Sequence, residues 1–551
     1  MRALWGTAFA LLLLLCFPFR AGTLRFDVGA VVGWLALVPL IRMTRGLHAR
    51  EAFRWTLTAA TAGYSGVLYW IYVVVHVHGH GAAPVALLAV GLLALYMGLH
   101  AALAAALWVG LAPWAGRLRF LLLPTAWVAA EHLRGFDLFG GFPWAYLGYA
   151  MHADGPVLEL ASLAGVHGLS FLLACVALLV ADRRLVPALG LVAVVHAAGF
   201  GLRLASPVER NEEGSRAAIV QANIAQSEKW DPARTREGFE RHLSLSRLAA
   251  ASGRSDLIVW PETALPLALE YERAYAESVL ELSRETGAVV VLGGMGLRRL
   301  PPGERGPDGL DFQVFNSVFV ATPEGGFVDR YDKSHLVPFG EYVPARPLLG
   351  FLSAVAGGMT PGDVTPGSGP RPLRSSDGWP GGHAPAALIC YEVIYPALVR
   401  DAVLGGARLL LNLTNDAWYG STSAPHQFLA IAATRSAEHG IPMLRAANTG
   451  ISAIVDAGGV VLRETPIFEA HALHGRIPGA RARRTLYTCA GDWIVGLSWA
   501  LLIGVGGAGL ANGIRRNQRS HPGDPDGARS SRCASFRASE ASLTSTGSER
   551  S

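Results

Sequence analysis

Uninterrupted apolar runs of about 20 residues, the length needed to cross a bilayer, recur through residues 1–204 and once more near residue 500. Lipid offers no partner to backbone N–H and C=O groups, so such runs fold as helices. Candidate spans lie at 3–19, 27–44, 55–76, 83–110, 119–133, 157–181, 185–203 and 490–512, about eight by the length criterion. The fifth is short enough to be re-entrant. Only 16% of the chain is charged, against roughly 25% in ordinary soluble domains, and the deficit falls in these same stretches. The expected organisation is a membrane domain at 1–204 with about seven spans, a mixed domain at 205–486, a transmembrane helix at 487–513 and a polar, disordered tail at 514–551.

Basic loops set the expected orientation. Arg42, Arg45, Arg50 and Arg54 follow the second run, Arg117 and Arg119 the fourth, Arg183 and Arg184 the sixth, and Arg515, Arg516 and Arg519 the last. The loop His76–His80 carries no Lys or Arg. Both termini are therefore expected in the cytoplasm and the 205–486 domain outside it, with Arg20 and Arg25 as a mild exception. The net charge of +5 is spread over these loops and the tail, which argues for topology rather than a nucleic-acid partner. Five cysteines form no metal or disulfide pattern. Leu15 is too bulky for a lipoprotein signal ending at Cys16, so the first run is expected to be retained. His76, His78 and His80 alternate without a nearby carboxylate, and no metal or other cofactor is expected.

The 205–486 segment alternates short aliphatic strands with amphipathic helices. Strands are expected at 217–220, 257–259, 289–292, 318–320, 386–389 and 409–411, with a hairpin of 451–455 and 460–462 across Gly458-Gly459. Helices are expected near 233–252, 270–286 and 424–439. This is an α/β pattern whose strand ends carry loops. Residues 351–384, rich in Gly, Pro and Ser, are too long for a plain connector.

Three of those loops hold the chemistry. Trp260-Pro261-Glu262 follows a strand and fixes a carboxylate between prolines, where it can act as a general base. Tyr331 to Pro344 contains Lys333, a cation able to stabilise a thiolate or an oxyanion, and Glu341, a second acid able to orient it. Leu388-Ile389-Cys390-Tyr391-Glu392 ends a strand on the lone cysteine between 205 and 486, a candidate nucleophile. The backbone N–H of Tyr391 is a candidate oxyanion donor.

Glu262, Lys333 and Cys390, in this order and each after an apolar strand, resemble the nitrilase superfamily, as does Asn412 to Gly420. With the spans included, the chain to about residue 513 resembles the apolipoprotein N-acyltransferase family. The residues carrying this are Trp260-Pro261-Glu262, Lys333 to Pro344, Cys390-Tyr391-Glu392, Asn412 to Gly420, Arg445 to Ser452, Glu131 to Gly135 and Gly141-Phe142-Pro143-Trp144. Gln221-Ala222-Asn223 departs from the family pattern, which has proline between Gln and Asn.

The resemblance implies a nitrilase-like αββα sandwich outside the cytoplasm of a bacterial inner membrane. It implies a Glu262–Lys333–Cys390 triad supported by Glu341, Tyr391, Glu392, Asn316 and Trp230. It implies an acyl chain moved from a glycerophospholipid, through a thioester on Cys390, to the α-amino group of a diacylglyceryl-cysteine apolipoprotein. Phe351 and Leu352, with Gly357 and Gly358 as flexible points, are expected to form a lid that admits lipids from the bilayer. Two alternatives stay open: a membrane-tethered amidase using the same triad with water as acceptor, and a lipid-binding transporter or scaffold without a nucleophile.

Overall fold

The computed structural model describes residues 1–208, 214–306, 309–345, 364–376 and 378–520. Four of its helices are long and apolar enough to cross a membrane: Ala83–Trp114, Ala161–Ala181, Leu185–Ala205 and Trp493–Asn512. Ala49–Val67 and Trp70–His78, bent by 57° at their junction, make a fifth if taken as one span. Among the described residues, length and composition thus give four or five candidate spans, where the sequence suggested about eight. Arg2–Leu15 and Gly29–Thr44 are shorter apolar helices, linked by a small hairpin of β1 (Phe19–Ala21) and β2 (Leu24–Phe26).

The 119–133 run falls below the length of a span. It forms a helix of 13 residues, Leu122–Arg134, buried along nearly its whole length. Hydropathy reports removal from water, and a helix enclosed by other helices is apolar all round without facing lipid. Glu131 and Arg134 are buried there. Glu131 accepts from Trp127 Nε1 at 2.9 Å and from the Leu147 N–H at 2.7 Å. The Arg134 guanidinium lies over the rings of Tyr64 and Tyr146, at 5.5 and 5.1 Å.

Residues 216–476 build two facing sheets. One holds β3 (Arg216–Gln221), β4 (Leu257–Val259), β5 (Leu265–Ala268), β6 (Val289–Arg299), β7 (Phe312–Thr322), β8 (Gly326–Asp332) and β14 (His471–Arg476), in the order β14-β3-β4-β6-β7-β8 with β5 beside β6. The other holds β9 (Pro385–Ile389), β10 (Leu409–Thr414), β11 (Met443–Ala447), β12 (Ala453–Val455) and β13 (Val461–Glu464), in the order β13-β12-β11-β10-β9. Strands β9, β10 and β11 are parallel, and β12–β13 is the hairpin read from Gly458-Gly459.

Strand alternation divides each sheet into two faces. Ile219, Leu257, Val259, Val289, Val291, Val318 and Val320 meet Ala387, Ile389, Leu409, Leu411, Leu413, Leu444 and Ile454 between the sheets. The outer face of the first sheet, with Val220, Ile258, Val290 and Leu292, packs on Phe239 and Leu243 of helix Pro232–Ser252 and on Val279 and Leu282 of helix Arg273–Thr286. The outer face of the second sheet meets helix Ala424–His439, whose far side continues into the membrane helices. Phe428 and Ile431 share one cluster with Leu388, Met443, Trp144 and Trp70. This helix is therefore buried nearly all round, rather than amphipathic as its sequence suggested.

Candidate active site

Every catalytic candidate sits just past the end of a strand. Cys390 directly follows β9, Lys333 directly follows β8, and Glu262 stands three positions after β4. Cys390 takes a left-handed backbone, φ +50°, at the start of a tight turn, Cys390–Ile394. That conformation is unfavourable for a residue with a Cβ and marks a backbone held by its surroundings. Glu392 is what holds it. Its fully buried carboxylate accepts from the N–H of Ile389 at 2.8 Å on one oxygen, and on the other from the Tyr331 hydroxyl at 2.8 Å and the Ser334 N–H at 2.7 Å. The same carboxylate thus ties the cysteine turn to the lysine loop. Burial raises its pKa against the effect of these donors.

Glu262, Lys333, Glu341 and Asn316 form one buried polar cluster. Lys333 Nζ donates to Glu341 Oε1 at 2.9 Å and lies 3.5 Å from Glu262 Oε1. Asn316 Nδ2 donates to Glu262 Oε1 at 2.8 Å and to Glu341 Oε1 at 3.0 Å. The second oxygen of Glu262 accepts from the Asn415 N–H at 2.9 Å, and that of Glu341 from the Val337 N–H at 2.8 Å. Burial alone would raise the Glu262 carboxyl, but the ammonium groups of Lys333 and Lys229 and the Asn316 amide outweigh it, so its pKa lies below the ordinary carboxylate value. Burial alone would lower Lys333, but Glu341, Glu262 and Cys390 outweigh it and its pKa is raised. The Cys390 thiol is driven upward, first by burial and then by the Glu262 charge, with Lys333 and a 3.4 Å hydrogen bond from Thr414 Oγ1 working against this. The resting site therefore holds a neutral thiol facing an ionised carboxylate and a protonated lysine.

The remaining expected residues surround this cluster. Trp230, 37% exposed, lines an open cleft with Glu262, Asn316, Glu341, Phe315 and Trp418. Tyr391 packs edge-on against Tyr395, ring centroids 5.3 Å apart. Phe351, Leu352, Gly357 and Gly358 lie outside the described residues. Cys390 borders both the core between the sheets and the cluster shared with the membrane helices. Those helices reach the site directly: Tyr419 stacks edge-on against Trp70 at 5.1 Å, and the His78 ring lies 6.2 Å from that of Trp418.

The chain matches the family model for the apolipoprotein N-acyltransferase N-terminal domain over residues 9–179 and that for carbon-nitrogen hydrolase over residues 216–486. An apolipoprotein N-acyltransferase of Geobacter metallireducens is 37% identical over 81% of this chain and 85% of its own length. One from Brucella melitensis is 34% identical over 83% of this chain and 87% of its own. This chain belongs to the apolipoprotein N-acyltransferase family. Among solved structures, an amidase of the nitrilase superfamily from Nesterenkonia is 21% identical, with a TM-score of 0.37 over 53% of this chain and 99% of that one.

In this member of the apolipoprotein N-acyltransferase family, the roles of three residues beside the site escaped sequence reasoning. Lys229 is buried beneath Glu262, donating from Nζ to its backbone carbonyl at 2.8 Å; between Glu228 and Trp230 it reads as a solvated lysine. Gly293 lies against the Glu262 loop, where a Cβ would stand 2.4 Å from the Pro261 carbonyl and 2.7 Å from Glu262 Cα. The paired glycines 293 and 294 inside a strand were the available signal. Arg445 donates to both oxygens of Asp416, at 2.9 and 3.1 Å, and also bonds Asn412, fixing the Asn412–Gly420 loop from within the core. The Gln221–Asn223 loop is pinned by two hydrogen bonds: the Asn223 N–H donates to the Asn448 carbonyl at 3.0 Å and Asn223 Nδ2 to the Phe468 carbonyl at 2.9 Å.

Proposed function

We infer that this protein is an N-acyltransferase that acts on apolipoproteins, and we propose that it does so by a thioester exchange on Cys390. The observation that carries the mechanism is the place of the thiol: it faces an ionised Glu262 and a protonated Lys333 while bordering the apolar cluster shared with the membrane helices. That apolar surrounding supports a lipid ester as the substrate of this thiol.

In the first half-reaction Cys390 Sγ attacks the ester carbonyl of a glycerophospholipid while Glu262 takes the thiol proton. Negative charge gathers on the carbonyl oxygen, where the Lys333 ammonium and the Tyr391 N–H stabilise it. The C–O bond breaks, the lysophospholipid leaves with the proton from Glu262, and the acyl group remains as a thioester. In the second, the amino group of the diacylglyceryl-cysteine attacks the thioester and gives a proton to Glu262. The C–S bond breaks and the amide is released. Cys390 recovers its proton. Glu341 and Asn316 hold Lys333 and Glu262 in register through both steps. The arginine pattern supports a cytoplasmic location for both termini, which puts the catalytic sandwich on the outer side of a bacterial inner membrane.

The test is the intact mass of detergent-purified protein incubated with phosphatidylethanolamine. A hydroxylamine-sensitive gain of one acyl chain is expected, absent in Cys390→Ala, and transferred when a diacylglyceryl lipopeptide is added. Turnover of the thioester by water at an undiminished rate, with no transfer to the lipopeptide, would favour a hydrolase. Lipid-dependent function surviving in Cys390→Ala would favour a binding protein.

A further inference from the structure

Lys229 is a buried charge beside Glu262 that this scheme leaves without a task. It closes the short helix Gln226–Lys229 and is 5% exposed. Its ammonium donates to the Glu262 carbonyl oxygen at 2.8 Å, while the Glu262 carboxylate is engaged by Asn316, Lys333 and the Asn415 N–H. Burying an ammonium is costly, and tethering one carbonyl needs only a neutral donor. The charge is therefore surplus to the tether. The titratable and charged groups around it are Glu262 and Cys390 on the reactive side and Glu228, Arg234 and His242 on the other.

We propose that the Lys229 ammonium is a positioning residue for the Glu262 base, fixing its backbone and supplying the positive charge that lets a Cys390 thiolate and a second carboxylate share one buried site. The charge count carries this. At rest, Glu262 and Glu341 are balanced by Lys333 and Lys229. Moving the Cys390 proton to Glu262 leaves that balance unchanged. Without Lys229 the buried cluster carries a surplus negative charge, and both ionisation of Glu262 and formation of the thiolate become harder. Burial lowers Lys229 to about 8, with Glu262 and Cys390 opposing the shift, so the wild-type protein loses this charge as pH rises through about 8.

The inference rests on Glu262 being the base. Single-turnover thioester formation from phosphatidylethanolamine is followed by intact mass from pH 4 to 10 in wild type, Lys229→Met, Lys229→Arg and Glu262→Gln. Lys229→Met is expected to slow acylation at pH 7 by about tenfold and to move the acid limb up by about one unit. The alkaline limb near pH 8 should disappear with it. Lys229→Arg is expected to restore most of the rate and also to lack that limb, because a guanidinium keeps its proton across this range. If Lys229→Met does not fold, wild type against Lys229→Arg still decides by the alkaline limb. A uniform loss at all pH values, with neither limb moved, would make Lys229 a structural tether and overturn the inference while leaving the base assignment standing. Glu262→Gln acylating as fast as wild type would instead remove the base, and this inference with it.

Discussion

At the scale of single residues, the site is a set of opposed charges whose burial is compensated locally. Glu262 has its pKa lowered by Lys333, Lys229 and Asn316 against the effect of burial. Stability from its ionised form is therefore present above the ordinary carboxylate value and is lost as pH falls through the lowered one. Lys333 has its pKa raised, so its contribution is complete below the ordinary lysine value and is lost only as pH rises past the raised one. The wild-type acid limb of acylation should accordingly lie below about pH 4.3, with a plateau through neutrality. Rapid-quench measurement of thioester yield checks this, and a limb near pH 6 would contradict it. Glu262→Gln keeps the shape of the side chain but cannot take the thiol proton. It should lower acylation by about two orders of magnitude or more, with lipid binding retained.

At the scale of elements, the proposed catalysis depends on how tightly the loops after β4, β8 and β9 are held by what lies behind them. Gly293 in β6 is the clearest case. A methyl there would press into the Pro261 carbonyl and the Thr263 N, at 2.4 and 2.6 Å, both rigid backbone atoms. Gly293→Ala should cost about 1–3 kcal/mol of stability by overpacking and should depress acylation further than stability, because the atoms displaced carry Glu262. Thermal unfolding and thioester yield measured on the same preparation separate the two effects. A variant as active as wild type would show that the loop has room to adjust. The elements legible in the sequence were those with unbroken aliphatic runs, such as 257–259 and 409–411. Strand β14 escaped because its edge position leaves His471 and Arg476 exposed. Strand β11 escaped because a fully buried arginine, Arg445, interrupts it. The loops bearing Glu262 and Cys390 were legible because each follows an apolar run, whereas Lys333 follows β8, whose Asp329, Arg330 and Asp332 hid it as a strand. The Arg445–Asp416 pair spans 29 positions and exists only once β10 and β11 lie side by side.

At the scale of the whole molecule, the sandwich and the apolar helices share a core and are tied across it by polar contacts. Gln427 on helix Ala424–His439 accepts from Trp144 Nε1 at 2.8 Å and donates to the carbonyls of Pro18 and Val67 at 3.2 and 3.3 Å. The Tyr395 hydroxyl donates to the Gly141 carbonyl at 3.0 Å. Helix Ala161–Ala181 breaks at Ala164 and Gly165, and the freed Val166 N–H donates to Glu438 Oε1 at 2.8 Å. One residue of the sandwich thus caps a break in an apolar helix. Across the same junction Arg481 forms an ion pair with the buried Glu159. Such a junction implies one cooperative unit. Gln427→Leu would leave the buried Trp144 N–H and two carbonyls unpaired, each costing about 1–3 kcal/mol. It should lower the detergent-solubilised protein's unfolding temperature in a single transition that takes acylation with it. Two separated transitions, the higher one still able to form the thioester, would mean that the sandwich folds and works without its seat on the helices. A thiol that reacts with lipid esters in a detached sandwich would gain nothing from its place against the cluster shared with the apolar helices.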